Sequence, residues 1–164
     1  MGPWQKRMVG IVLLLGSTAG LALATEAVTN VLEVHRIAMH PDGIEAAESA
    51  AAARPGDVLE YKALFHNNGS KVAHDLSATL PLPAGTEFLP GSQQPAAALA
   101  SIDGASFEAL PLKRVVKAAD GSSHEELVPA REYRFLRWAG TDLPGSGDLA
   151  VSARVRIAGV NAAP

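Results

Sequence analysis

The chain of 164 residues contains no cysteine. This absence excludes disulfide bonds, thiolate metal sites, a cysteine nucleophile and a lipoprotein anchor on cysteine. Stability must therefore come from core packing, and a chain of this length can bury enough apolar surface to supply it. We expect one domain with a sizeable core.

Motifs of the common catalytic sites are missing as well. There is no Gly-x-Ser-x-Gly nucleophile elbow, and the glycine-rich segment at residues 140–147 lacks the lysine and the helix of a phosphate loop. Glu125 and Glu126 are adjacent in sequence, which does not provide the two environments that carboxylate catalysis needs. We predict a protein that is not an enzyme and that uses no cofactor.

Residues 1–24 have the pattern of a secretory signal peptide. Two basic residues precede an apolar stretch, and residues 22–24, Ala-Leu-Ala, fit the small-x-small cleavage rule before Thr25. The alternative is an uncleaved anchor helix, for which the apolar stretch is short and rich in glycine and alanine. We predict cleavage, export to the periplasm or the cell surface, and a single domain at residues 25–164.

The chain has fewer basic than acidic residues. There are 14 Lys and Arg against 17 Asp and Glu, which gives a formal net charge of −3 at pH 7. Loss of residues 1–24 would remove Lys6 and Arg7 and no acidic residue, so the net charge would fall further. Nucleic acids and anionic membranes bind basic surfaces. We therefore expect no nucleic acid partner and no membrane contact beyond the signal peptide.

The clearest structural pattern lies at residues 55–85. A Pro-Gly-Asp turn signal precedes residues 58–67, where apolar and polar side chains alternate as in a half-buried strand. Asn-Asn-Gly-Ser at residues 67–70 predicts a turn, and the alternation returns at residues 72–80. The stretch predicts a β-hairpin, with these residues facing inward: Leu59, Tyr61, Ala63, Phe65, Val72, His74, Leu76, Ala78 and Leu80.

In the order and spacing of its motifs, this stretch resembles the domain-of-unknown-function-eleven family, an Ig-like module of exported bacterial proteins. The matching residues are Pro55-Gly56-Asp57, Tyr61, Asn67-Asn68-Gly69 and Leu82-Pro83-Ala84-Gly85. The family often has an Asp before the last motif, where this chain has Thr79-Leu80-Pro81, so no role of that Asp transfers. The resemblance extends more weakly over residues 28–157, including Arg137-Trp138. It implies an Ig-like sandwich in an exported or surface protein.

The rest of the chain predicts further short strands separated by turn signals. Residues 28–39 predict an edge strand or one that switches sheets, whereas the alanine-rich residues 45–53 predict a loop with one or two helical turns. The predicted fold is all-β, an Ig-like antiparallel β-sandwich of two sheets, preceded by a cleavable signal helix. Its predicted core contains Leu59, Tyr61, Phe65, Leu76, Leu80, Leu136, Trp138, Val151, Val155 and Ile157.

Histidines are the candidate metal ligands. His66 and His74 flank one predicted turn, and His35 could join them if the first strand packs alongside. However, the sequence has no closely spaced histidine pair and no acidic residue at a recognised ligand spacing. His74 could instead be a hydrogen-bonded core residue. We assign no metal site and keep these three histidines as candidates only.

Four arginines are the candidate partner-binding residues: Arg134, Arg137, Arg154 and Arg156. If the strands that contain them are neighbours, their side chains form a stripe near Tyr133 and Phe135 that could bind an acidic partner or a glycan. The alternative, which we favour, is a set of solvated arginines paired with acidic neighbours such as Glu108, Glu132 or Asp148.

The function that we predict is an exported, non-enzymatic Ig-like module with a structural or protein-interaction role. Its expected partner is a cell-envelope protein, bound by strand addition or by loop contact. The alternative is a small periplasmic ligand-binding protein, for a metal or a glycan, that uses the histidines or the arginine–aromatic face. The sequence leaves the oligomeric state open.

Overall fold

The computed structural model describes residues 28–159, and the predicted signal peptide lies outside them. Within this described range, the regular structure consists of eleven strands and two short 3-10 helices, Ala50–Ala52 and Ala130–Glu132. The strands are β1 Val28–Met39, β2 Glu45–Ser49, β3 Val58–Asn67, β4 Ala73–Pro81, β5 Thr86–Phe88, β6 Leu99–Ser101, β7 Glu108–Ala109, β8 Lys113–Lys117, β9 Ser123–Leu127, β10 Phe135–Leu143 and β11 Asp148–Ile157.

The strands form two main antiparallel sheets. The five-stranded sheet has the order β2-β1-β3-β11-β5, and the four-stranded sheet has the order β4-β10-β6-β7. In the part of the chain that the structure describes, β8 and β9 pair with each other alone and form a separate hairpin. Side chains from both main sheets share one buried cluster, so the prediction of an all-β antiparallel sandwich is confirmed.

The core follows from period-two alternation on the central strands. β11 buries Val151, Ala153 and Val155 completely, and β10 buries Leu136 and Trp138 against them from the other sheet. The predicted core is therefore confirmed at its central positions, while three members are only half-buried at its margin: Tyr61, Leu76 and Ile157.

The predicted hairpin at residues 55–85 is wrong in its pairing. β3 pairs with β1 and β11 in one sheet, and β4 pairs with β10 in the other. Alternation identified both strands correctly, but it reports which face of a strand is buried and says nothing of which strand lies beside it. The turn at residues 68–72 thus carries the chain from one sheet to the other.

The prediction for the alanine-rich segment is right only in part. Residues 50–52 form one helical turn, a 3-10 turn, but residues 45–49 form β2 where a loop was predicted. β2 pairs with the second half of β1, and an ion pair between Arg36 and Glu48 joins the two strands. Ladder hydrogen bonds and this contact outweigh the helix propensity of alanine, which is a weak local preference. β1 therefore has a strand on both sides at residues 35–37.

The smaller strands agree with the turn signals. β6 and β7 pair around the Asp103-Gly104 segment, and β8 and β9 pair around Asp120-Gly121. In the first of these loops, the Asp103 carboxylate accepts hydrogen bonds from the backbone amides of Ser106 and Ala105, which lower its pKa. Both aspartates stabilise turns, as their sequence context predicts.

Candidate functional site

The three candidate histidines lie on two sheets. His66 at the end of β3 contacts Asp148, with 2.8 Å between Nδ1 and Oδ1. His74 in β4 contacts Asp142, with 3.0 Å between Nδ1 and Oδ2, whereas His35 lies on β1 opposite Glu60. Within residues 28–159, no three His, Cys, Asp or Glu side chains are grouped so that they could hold a metal ion.

A bulge explains why His74 points outward, although alternation predicted that it faces the core. Asp75 has a positive φ of 55°, and the β4–β10 register shifts at this point. The extra residue places Ala73 and Leu76 toward the core and leaves His74 exposed. The Asp142 carboxylate accepts hydrogen bonds from His74 and from the Asp75 amide, and these bonds hold the pKa of Asp142 below its ordinary value.

Asn67 joins two loops at this end of the sandwich. The side chain is fully buried, and its Nδ2 donates to three carbonyl oxygens, those of Lys71, Leu143 and Pro144, at 2.8, 3.0 and 3.1 Å. Its Oδ1 accepts from the Gly69 amide at 3.0 Å. We call Asn67 and these hydrogen bonds the Asn67 clamp. The sequence predicted a turn residue here, yet Asn67 follows Phe65 at period two and so lies on the buried face.

The two loops that the clamp joins are in direct backbone contact. A Cβ placed on Gly145 would lie 2.3 Å from the Ser70 carbonyl group, so no larger residue fits at Gly145 without a shift of the backbone. The Ser146 amide donates to the Gly69 carbonyl at 2.9 Å, which extends the contact. This end of the molecule is therefore a rigid, close-packed junction between the two sheets.

The predicted arginine stripe does not form. Arg137 lies on β10 in the four-stranded sheet, whereas Arg154 and Arg156 lie on β11 in the five-stranded sheet. Tyr133, expected beside the stripe, is buried instead, where it stacks on Phe88 with 5.7 Å between the ring centroids. The strands that carry these arginines are neighbours in sequence and belong to opposite layers, so the condition for a stripe is not met.

Each of the four arginines has its own surroundings. Arg154 forms ion pairs with Glu45 at 2.8 Å and Glu60 at 3.4 Å, and Arg134 donates to the carbonyl oxygens of Arg131 and Tyr133. Arg156 is exposed and lies opposite Glu87 in the ladder of β11 and β5. The prediction that these arginines pair with acidic residues holds for Arg154, but its partners are Glu45 and Glu60 and not the residues named from the sequence.

Arg137 makes the most organised contact of the four. Its guanidinium carbon lies 3.5 Å from the centroid of the Phe107 ring, and its Nε donates to the Thr79 hydroxyl at 3.1 Å. Cation–π stacking with one hydrogen bond holds the planar group in a single orientation on the outer face of the four-stranded sheet. An arginine–aromatic pair thus exists, but its ring is Phe107, which the sequence did not single out.

The hairpin of β8 and β9 stands apart from both sheets, and we call it the arm. Val115 and Leu127 lie on one face of the arm, and their residues are 68% and 61% exposed. An ion pair of 3.2 Å between Lys113 and Glu125 crosses the same face. The arm therefore presents two apolar side chains next to charges of both signs.

The base of the arm is anchored in the sandwich. Leu112 and Val128 are buried in the core cluster, and the Val128 amide donates to the Leu112 carbonyl at 2.9 Å. Arg114 links the arm to the 3-10 helix Ala130–Glu132 through ion pairs of 2.6 Å with both Glu126 and Glu132. These contacts fix the direction of the arm while its outer strands stay accessible.

An open depression of about 290 Å³ lies beside the core, and its lining contains no charged side chain. It is lined by Pro90, Gly91, Gln93, Leu110, Pro111 and Tyr133. The Tyr133 hydroxyl accepts a hydrogen bond of 2.8 Å from the Leu112 amide. The depression therefore offers apolar surface rather than an acid–base pair.

Comparisons with family models, with curated proteins and with solved structures find no match to this chain. The resemblance to the domain-of-unknown-function-eleven family accordingly stays a prediction from the residues at 55–85. Among residues 28–159 there is also no helix of the length and apolar character that a membrane span requires.

Proposed function

We propose that this protein is an exported, non-enzymatic Ig-like module of the bacterial periplasm or cell surface, and that it binds a cell-envelope protein through the arm. The observation that carries the proposal is the arm itself, a two-stranded hairpin that projects from the sandwich with Val115 and Leu127 exposed. Two-stranded hairpins are marginally stable in water, so a projecting one gains stability when a partner covers its apolar face.

The chemistry of the arm favours a protein partner. Its first strand carries Lys113, Arg114 and Lys117, and its second carries Glu125 and Glu126. A partner that packs on the apolar face of the arm would be oriented by the charges of opposite sign on the two strands. Apolar side chains surrounded by charges are the usual composition of a small protein interface.

Crosslinking in the native host, followed by affinity capture of the tagged chain, tests this function. The double variant Val115→Lys, Leu127→Lys should lose the captured envelope protein, because it charges the apolar face without touching the anchored base. Val72→Lys is the matched control, since Val72 is also exposed but lies on the turn between the two sheets. Capture that is equal for both variants and the wild type would refute the assignment to the arm.

The ordered contact between Arg137 and Phe107 supports a second candidate, an anionic glycan bound on the outer face of the four-stranded sheet. The two terminal nitrogens of Arg137 make no hydrogen bond within the described residues, so they can receive a carboxylate. Calorimetric titration with a uronate-containing oligosaccharide checks this candidate. Binding that Arg137→Gln abolishes and Arg156→Gln retains would support it, and an absence of heat with the wild type would exclude it.

A further inference from the structure

The two halves of β1 differ in their neighbours. Residues 35–39 pair with β2, whereas residues 28–34 pair with β3 alone and have no strand on their other side in the described part of the chain. We call residues 28–34 the β1 edge. An unpaired edge presents backbone N–H and C=O groups that can pair with another strand.

The other outer strands between residues 28 and 159 carry features that discourage such pairing. β2 has Glu45 and Glu48, β4 contains the bulge at Asp75, and β5 and β7 are only three and two residues long. Half of the positions in the two strands of the arm carry a charged side chain. These are the usual protections of a natural sheet edge.

The β1 edge has almost none of these protections. It contains no proline, glycine or lysine, and Glu33 is its single charged residue. Val31 and Leu32 are 60% and 48% exposed. A long, apolar edge of this kind is either covered by a partner or prone to association.

We propose that the β1 edge binds the β1 edge of a second copy of this chain, antiparallel across a two-fold axis at Val31. This inference goes beyond the function proposed for the arm and does not depend on it. In this register each Val31 faces the Val31 of the second copy, and each Asn30 faces Leu32. The dimer joins two five-stranded sheets into one continuous sheet.

Charge and sterics favour this register. It places the Glu33 carboxylate opposite Thr29 of the second copy, whereas an axis at Glu33 would bring two carboxylates together. β2 begins to pair at His35, so the new ladder cannot extend past residue 34. The axis at Val31 is the centre of the segment that remains.

Side-chain burial follows from the same register. Val31 lies next to Leu64 in the ladder of β1 and β3, and directly paired residues share a face of the sheet. The axis therefore gathers two Val31 and two Leu64 side chains into one apolar cluster on the outer face. A short ladder with one small cluster forms a small interface, for which we expect a weak, concentration-dependent dimer.

Sedimentation equilibrium of the purified chain is the first test. We expect the mean mass to rise from that of the monomer toward twice that value as the concentration increases. Val31→Lys and Leu32→Lys should abolish the rise, because each places a charge in the interface, while Val72→Lys should retain it. Unchanged far-UV circular dichroism and melting temperature would show that the lysine variants are folded.

Single cysteines test the register, because the natural chain has none. Val31→Cys places two thiols directly opposite each other, at the distance that a disulfide requires. Leu32→Cys offsets the two thiols by two residues along each strand, which is too far for a disulfide. We expect oxidation to give a covalent dimer with Val31→Cys, and little with Leu32→Cys or Val72→Cys.

A monomeric wild type at concentrations up to about 1 mM, the affinity of very weak specific complexes, would overturn the proposal. So would a dimer that persists in both lysine variants, or equal crosslinking of the three cysteine variants. A monomer whose amides at residues 28–34 resist hydrogen exchange would overturn it as well, since another segment would then cover the edge. None of these results bears on capture of a partner by the arm, so the two proposals can fail separately.

Discussion

Asn67 lies in a sequence typical of an exposed turn, yet its replacement is predicted to destabilise the junction between the two sheets strongly. Asn67→Ala removes the donor to three carbonyl oxygens and the acceptor for the Gly69 amide. Because Nδ2 has two hydrogens, the three carbonyl contacts count as about two full hydrogen bonds. With the bond to Gly69, about three are lost at ~1 kcal/mol each, and the Leu143 carbonyl is left buried without this donor.

We therefore expect Asn67→Ala to lower the free energy of unfolding by about 3–4 kcal/mol and the melting temperature by roughly 10 °C. Urea denaturation followed by tryptophan fluorescence measures the change, because Trp138 is buried in the core. Asn68→Ala is the matched control. Asn68 is exposed and its Nδ2 donates to the Thr29 hydroxyl, so a loss below about 1 kcal/mol is expected.

Asn67→Asp separates hydrogen bonding from packing. Aspartate has the same shape as asparagine, but its second oxygen would face carbonyl oxygens and could not donate to them when ionised. We expect Asn67→Asp to be at least as destabilising as Asn67→Ala at neutral pH. A loss below about 1 kcal/mol for Asn67→Ala, or a milder effect of Asn67→Asp, would refute the role of the clamp.

Three further predictions concern the core, the bulge and the start of the chain. Trp138→Ala should cost about 3–5 kcal/mol in urea unfolding, since the ring is buried and its Nε1 donates to the Pro95 carbonyl at 2.7 Å; a loss below ~1 kcal/mol would contradict the core assignment. The pKa of Asp142 is lowered in the folded protein. The wild type should therefore have a higher free energy of unfolding than Asp142→Asn at pH values above the ordinary pKa of 3.8, and this difference should disappear as the pH falls through the lowered pKa. The same pH dependence should shrink in a His74→Ala background, because His74 is the main cause of the lowered pKa. Mass spectrometry of the chain exported by its host should give a first residue of Thr25, whereas an intact amino terminus would favour the anchor helix.

Strand positions were predictable because burial on one face leaves a period-two pattern. β3 and β11 follow this pattern closely, β10 follows it as far as Trp138, and the inward residues of all three form the core. The partner of each strand was not predictable from alternation. A turn of the same residue types can close a hairpin or connect two sheets, and the outcome here depends on the Asn67 clamp and on the approach of Gly145 to Ser70.

The candidate sites depended on which strands lie beside each other and on the phase of each strand, and the sequence pattern does not specify either. His74 faces outward because one bulge residue, Asp75, reverses the phase of β4, and a bulge leaves no clear mark in a period-two pattern. The arginine stripe required β10 and β11 to be neighbours, and they lie in different sheets. The burial of Asn67 could have been predicted, because it lies two residues after Phe65 and so on the same face of β3. The exposure of the arm could not have been predicted, because it depends on contacts that the turn signal at Asp120-Gly121 does not specify.

Site-specific photo-crosslinking in the living host tests the interaction role most directly. A photoreactive residue at Leu127 on the arm is compared with one at Val72, which is exposed on the turn between the sheets. We predict that the probe at Leu127 crosslinks one envelope protein reproducibly and that the probe at Val72 does not. Equal crosslinking from both positions, or none from Leu127, would contradict the account of the arm as the binding site of an interaction module.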